Sequence, residues 1–235
     1  MRRLEGVVVN GIAVVIPAKD EEATIGTLLD RISRVRVPGR ELCPIVVDDG
    51  STDGTANIAR GRGALVVRHP ANRGLGAAVR TGLRAAVETG APAVAYLDAD
   101  LEYYPEDLPR LLEPVLAGRA EYVLGSRFLG GVRGMRLHRR LGNYAFTALL
   151  TVLSRRKVTD GQTGMRAFSR EAARRAEIIH DYNYAQVLTL DLLRKGMRME
   201  EVPIRYRVRE HGESFVRWSY PAKVLPAIWR ELRSP

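Results

Sequence analysis

Short apolar runs alternate along the chain with stretches in which apolar residues recur every three or four positions. Residues 12–16, 44–47, 64–67, 93–97 and 121–124 read as strands buried on both faces. Between the first two, Ile25, Leu28, Leu29 and Ile32 fall on one face of a helix that Asp20 is placed to cap. A short helix opens at Thr52-Asp53-Gly54-Thr55 and runs through Ile58. Residues 74–88 form another around Val79, Leu83 and Val87, and Leu108, Leu111, Leu112 and Val115 stripe a third, started by Pro105 and kinked or ended at Pro114. Strands without internal polar positions, alternating with helices, predict an α/β fold: a mostly parallel sheet flanked by helices. Gly130, Gly131 and Gly134 mark a loop, and residues 142–154 form an apolar helix. Val202, Ile204, Tyr206 and Val208 alternate with Pro203, Arg205, Arg207 and Arg209, which predicts a strand with three arginines on one face; a last helix carries Val224, Leu225, Ile228 and Leu232.

No repeat, low-complexity segment or Pro/Ser-rich linker divides the 235 residues, so one domain is expected. Hydrophobic content of 46% and charged content of 27% are those of an ordinary folded protein. Cys43, the one cysteine, reads as a small core or rim residue; it excludes an internal disulfide and fits a reducing cytoplasm. Met1-Arg2-Arg3 precedes an apolar run that Asn10 and Gly11 interrupt, and this is read as the approach to the first strand rather than a signal peptide. The apolar stretch at 144–153 falls short of the ~20 residues a membrane span needs.

Charge changes the picture more. Lys and Arg number 37 against 27 Asp and Glu, a net charge of +10 that implies an anionic partner. The apolar 142–154 helix is bracketed by Arg136, Arg139 and Arg140 before it and Arg155, Arg156 and Lys157 after it. A helix so flanked reads either as an ordinary core helix with charged ends or as one lying on an anionic membrane surface. Aromatics at 6% and the lack of a recognition module speak against nucleic acid.

Three carboxylate clusters end three apolar runs: Asp20 and Glu21, Asp48 and Asp49, and Asp98 and Asp100. In an open parallel sheet, ligands bind at the carboxyl ends of the strands. Paired carboxylates suit a hard cation, Mg²⁺ or Mn²⁺, that keeps positions open for phosphate oxygens; turn formation and helix capping are the other uses for such acids. No glycine-rich dinucleotide loop or P-loop follows the first strand, the four histidines are scattered, and no Ser/His/Asp arrangement is visible.

The chain resembles inverting family-2 glycosyltransferases of the GT-A fold, and within them the dolichyl- or polyprenyl-phosphate mannose and glucose synthases. Carrying the resemblance are Pro17-Ala18-Lys19-Asp20-Glu21, Asp48-Asp49-Gly50-Ser51, Asn72-Arg73-Gly74, Asp98-Ala99-Asp100, Gly125-Ser126-Arg127, Asp160-Gly161-Gln162-Thr163-Gly164, Glu201-Val202-Pro203-Ile204 and His211-Gly212-Glu213-Ser214, in order. It implies a nucleotide-sugar-binding half over about residues 8–125 and an acceptor and membrane half over about 126–235. Pro17, Lys19 and Glu21 would line the nucleotide pocket, with Val47 and Asp49 near base and ribose. Asp98, Ala99 and Asp100 would hold the metal and diphosphate, with Glu102 as a further metal ligand. Arg127 and Arg209 would neutralise phosphates, and Arg139 or Arg140 would sit in the acceptor loop. Catalytic roles are expected at Asp100, Arg127 and Asp160, the last either a base for a hydroxyl acceptor or a loop-capping residue. The implied donor is a nucleoside-diphosphate sugar of the GDP-mannose or UDP-glucose type. The implied acceptor is a polyprenyl phosphate, met by a protein peripheral on the cytoplasmic face of a membrane. A hydroxyl acceptor and a catalytically idle nucleotide-sugar-binding adaptor are the alternatives. Phe215 departs from the pattern, standing where the synthases carry a phosphate-contacting lysine.

Overall fold

Every residue of strand β1 (Gly11–Ala18) is buried, and its alternating side chains supply two separate cores. Ile12, Val14 and Ile16 join one; Ala13 and Val15 join the other. This computed structural model describes residues 11–132, 135, 137–179 and 185–207. Around β1 lie β2 (Glu41–Asp48), β3 (Leu65–Arg68), β4 (Ala93–Leu97), β5 (Tyr122–Ser126), β6 (Met165–Ser169) and β7 (Met199–Pro203). They form one sheet in the order β3-β2-β1-β4-β6-β5-β7, in which β6 alone runs antiparallel to its neighbours. One face is covered by α1 (Glu22–Ile32), α2 (Thr55–Gly61) and α4 (Leu108–Leu116). The other is covered by α3 (Leu75–Glu88), α5 (Leu137–Ser154), α6 (Arg170–Arg175) and α7 (Ala185–Arg194). Coverage on both faces is why the strands read as continuous apolar runs.

The mostly parallel sheet agrees with the sequence expectation, and four local features differ from it. Asp20 does not cap α1: Glu21 occupies that position without a side-chain bond. Asp20 instead takes a left-handed conformation (φ 53°) and accepts a 2.8 Å hydrogen bond from the Thr52 amide, tying the β1 and β2 ends together. Strand β6 was hidden because Arg166 interrupts its apolar pattern; the side chain is fully buried and donates to the Thr163 and Gly161 carbonyls. Pro114 stays inside α4, which continues to Leu116. The strand expected over 202–208 ends at Pro203; of its arginines, Arg205 is exposed and paired with Asp107, Arg207 is half-buried, and Arg209 lies outside the described residues. The 224–232 helix and Met1 to Asn10 lie outside the described residues.

Candidate active site

The carboxyl ends of β1, β2 and β4 and the start of α3 enclose a cavity of about 330 Å³. It gathers Pro17, Lys19, Glu21, Asp49, Asp98, Ala99 and Asp100, seven of the residues expected in the nucleotide site. Val47 is not among the lining residues. It is fully buried, one β-strand position before the carboxylates, and its side chain points at Gly82 of α3.

Each acid at the cavity has a distinct setting. Asp49 is buried and gathers donors: His69 Nδ1 lies 2.6 Å from Oδ1, and the Arg73 and Gly74 amides donate at 2.9 and 2.8 Å. The far ring nitrogen of His69 meets Thr81 Oγ1 at 3.0 Å, so a buried Thr81–His69–Asp49 chain fixes this carboxylate. Gly50, at φ 72°, lets the following turn pack where a Cβ would lie 2.5 Å from the Ala71 backbone. Lys19 pairs with Asp20, and Glu21 accepts from Thr24 Oγ1 at 2.8 Å. Asp98 is half-buried on the cavity wall and accepts a short hydrogen bond from Tyr96. Burial, with the charges of Asp100 and then Glu102 beside it, raises the Asp98 pKa above the usual carboxylate range, although the Tyr96 hydroxyl opposes the shift. Asp100 accepts from the Glu102 amide at 3.0 Å.

An acidic cavity repels a diphosphate unless a cation intervenes. Among the described residues no three carboxylate, imidazole or thiolate side chains form a ready-made cage. Two carboxylates suffice for an ion that takes its remaining ligands from phosphate oxygens and water. The raised Asp98 pKa is the electrostatic signature of a pair that a cation would relieve, and the donor set is all oxygen, as Mg²⁺ and Mn²⁺ prefer.

The residues expected on the acceptor side form a second cluster. Arg127 and Asp160 make a buried, two-pronged ion pair with contacts of 2.7 and 2.8 Å. The Arg127 amide and Asn143 Nδ2 also donate to Asp160, at 3.1 and 3.2 Å. Burial alone would lower the Arg127 pKa; Tyr103 and Asp160 more than offset it and raise it. Glu201 of β7 holds the loop from beneath, accepting from the Thr159 and Asp160 amides at 2.9 and 3.2 Å. Burial raises the Glu201 pKa, and those hydrogen bonds counter it. Gly164 joins this loop to the cavity: its amide donates to Tyr103 at 2.7 Å, and a Cβ there would collide with Asp98. The Arg127 guanidinium lies 5.3 Å from the Tyr206 ring centre, and Tyr206 bridges to Tyr103.

Arg140 is exposed on the first turns of α5 and donates to Tyr144 at 3.2 Å, away from the cavity lining. The Arg139 side chain, Arg136, Arg209, His211 and Phe215 lie outside the described residues. His69, Tyr103, Tyr206 and Arg166 carried no motif signal. Only the position of His69 just past β3 hinted that it lies near the other strand ends.

A mixed sheet with carboxylates at the ends of β1, β2 and β4 and a loop from β6 closing on them defines the GT-A fold. The same architecture is seen in glucosyl-3-phosphoglycerate synthase from Mycobacterium tuberculosis, solved with Mn²⁺, uridine diphosphate and glucosyl-3-phosphoglycerate: TM-score 0.76, 28% identity, covering 96% of this chain and 81% of that one. The family model of glycosyl transferase family 2 matches residues 13–176, and the chain belongs to this family. The dolichyl-phosphate hexose transferase of Haloferax volcanii is 35% identical over 84% of this chain and 83% of its own length. The undecaprenyl-phosphate mannosyltransferase of Micrococcus luteus is 32% identical over 86% of each.

Proposed function

We propose that the protein is a metal-dependent, inverting hexosyltransferase that moves a sugar from a nucleoside diphosphate of the GDP-mannose or UDP-glucose type to a polyprenyl phosphate. The carrying observation is the Asp98–Asp100 pair on the cavity wall, burdened with negative charge that a cation would balance. Asp98 and Asp100 would hold Mg²⁺ or Mn²⁺, with the charge of Glu102 in the same field; such an ion would supply positive charge to a departing diphosphate. Pro17, Lys19, Glu21 and Asp49 receive the nucleotide.

An acceptor oxygen attacks the anomeric carbon from the face opposite the diphosphate; the new C–O bond forms as the old one breaks, and configuration inverts. A phosphate acceptor is already ionised and needs no base. This matches the setting of Asp160, whose carboxylate oxygens are occupied by hydrogen bonds from Arg127 and Asn143. Asp160 then aims Arg127, and Arg127 supplies positive charge to the reacting phosphates. The family resemblance assigns Arg139, Arg140 and Arg209 to the acceptor side.

The membrane reading gains a physical basis in α5. Its outward positions are apolar: Leu137 is 70% exposed, Leu141 59% and Val152 73%, with Tyr144 between them. Arg140, Arg155, Arg156 and Lys157 stand beside this stripe, as on a helix lying among anionic headgroups. Among the described residues no helix is long and apolar enough to cross a membrane. The exposed apolar stripe and its basic flanks support our reading of a protein peripheral on the cytoplasmic face of a membrane.

The test incubates the chain with labelled sugar nucleotide and Mg²⁺, with and without polyprenyl phosphate. Label is expected in the organic phase only with the lipid, and Asp100→Ala should abolish transfer without changing the melting temperature by more than a few degrees. Label in water-soluble product alone would favour a hydroxyl acceptor, and no transfer at all an idle binder. In parallel, anionic liposomes should sediment the protein at low salt and less so at high salt, and Val152→Glu should weaken that binding.

A further inference from the structure

We propose that Arg207 is a positioning residue that clamps the turn after Asp100 in a strained conformation, and so aims the Asp98–Asp100 pair at the cavity. The inference rests on the reading of that pair as the cation site. Leu101, immediately after Asp100, has φ 61°. This left-handed region disfavours a large apolar side chain, which has no polar atom to bond its own backbone. Such conformations persist where their surroundings impose them.

Here the imposing group comes from 106 positions along the chain. Arg207 Nε donates to the Leu101 carbonyl, and the Arg207 amide donates to the Glu102 carbonyl at 2.9 Å. One residue therefore grips two successive carbonyls. Tyr206 extends the grip by bridging to Tyr103, the rings meeting edge to face at 6.0 Å. The clamp is itself anchored. Arg205 is bound to Asp107 through its amide and its guanidinium, each at 2.7 Å. The guanidinium groups of Arg205 and Arg207 lie 5.0 and 5.8 Å from the centre of the Tyr104 ring. Arginine is required because a planar Nε–H must bond the carbonyl while the rest of the group packs on Tyr104; a lysine ammonium supplies charge without that geometry. The arginines of the expected strand face thus act on the donor site, through its backbone.

The experiment is a Mn²⁺ titration of the full chain, followed by electron paramagnetic resonance, with UDP or GDP present. Arg207→Lys should weaken Mn²⁺ binding by about tenfold, the lower range for a residue that supports metal ligands. Leu101→Gly removes the strain, since glycine takes this conformation freely. In that background, adding Arg207→Lys should change Mn²⁺ affinity by less than about twofold. Wild-type affinity in Arg207→Lys, or an equal loss in the Leu101→Gly background, would overturn the clamp. Failure of the wild-type chain to bind Mn²⁺ with either nucleotide would instead overturn the reading of the site.

Discussion

Replacing Gly164 with alanine tests the junction between the two halves of the site. Gly164 has no positive φ, so alanine meets no backbone penalty, and the whole effect comes from contact. The added methyl would lie 1.7 Å from Asp98 Oδ2, half of an ordinary 3.4 Å approach, and 2.9 Å from Tyr103 Cε2. The loop cannot easily retreat. Its Gly164 amide is bonded to Tyr103, and the next residue, Met165, is paired with Leu97 in the sheet. Asp98 must therefore swing, which breaks its bond from Tyr96 and removes one carboxylate from the proposed cation position. Overpacking of this kind costs ~1–3 kcal/mol. For a chain of this size that corresponds to a fall in melting temperature of about 2–12 °C. Displacing a reacting group by ~1 Å costs ~100-fold in rate. Initial rates of transfer and Mn²⁺ affinity, measured below the lowered melting point, should therefore drop together by about two orders of magnitude. A folded Gly164→Ala protein with wild-type turnover and wild-type Mn²⁺ affinity would refute the argument.

Two further outcomes follow from the buried networks. Asp160→Asn leaves the Arg127 charge buried without its counter-ion, and urea unfolding should show a loss of ~3–5 kcal/mol. The double variant Arg127→Met/Asp160→Leu should recover part of that stability while staying inactive, and a fully stable Asp160→Asn would contradict the ion-pair account. His69→Phe removes the one side-chain partner of Asp49 among His69, Arg73 and Gly74, leaving the two backbone amides. Because a hydrogen bond to a charged group is worth ~1.5–3 kcal/mol, the KM for sugar nucleotide should rise by roughly 10- to 100-fold with kcat little changed; an unchanged KM would show that His69 only fills space.

The periodicity of apolar residues determined the α/β class, the strands now seen as β1 to β5 and the placement of three acidic clusters at strand ends. These are local properties: a strand buried on both faces must be apolar at every position, and a helix must repeat every 3.6 residues. The cavity was legible for the same reason, since Asp49, Asp98 and Asp100 each end a recognisable run. Tertiary structure alone decided what those acids touch. Val47 packs against Gly82 of α3, and His69 reaches Asp49 only because β3 lies beside β2. Strand β6 escaped notice because a buried arginine breaks its pattern, and its carbonyl partners come from the chain's own folding. The expected strand face of Arg205 and Arg207 became a clamp on Leu101 and Asp107 because partners about a hundred residues apart leave no trace in local periodicity.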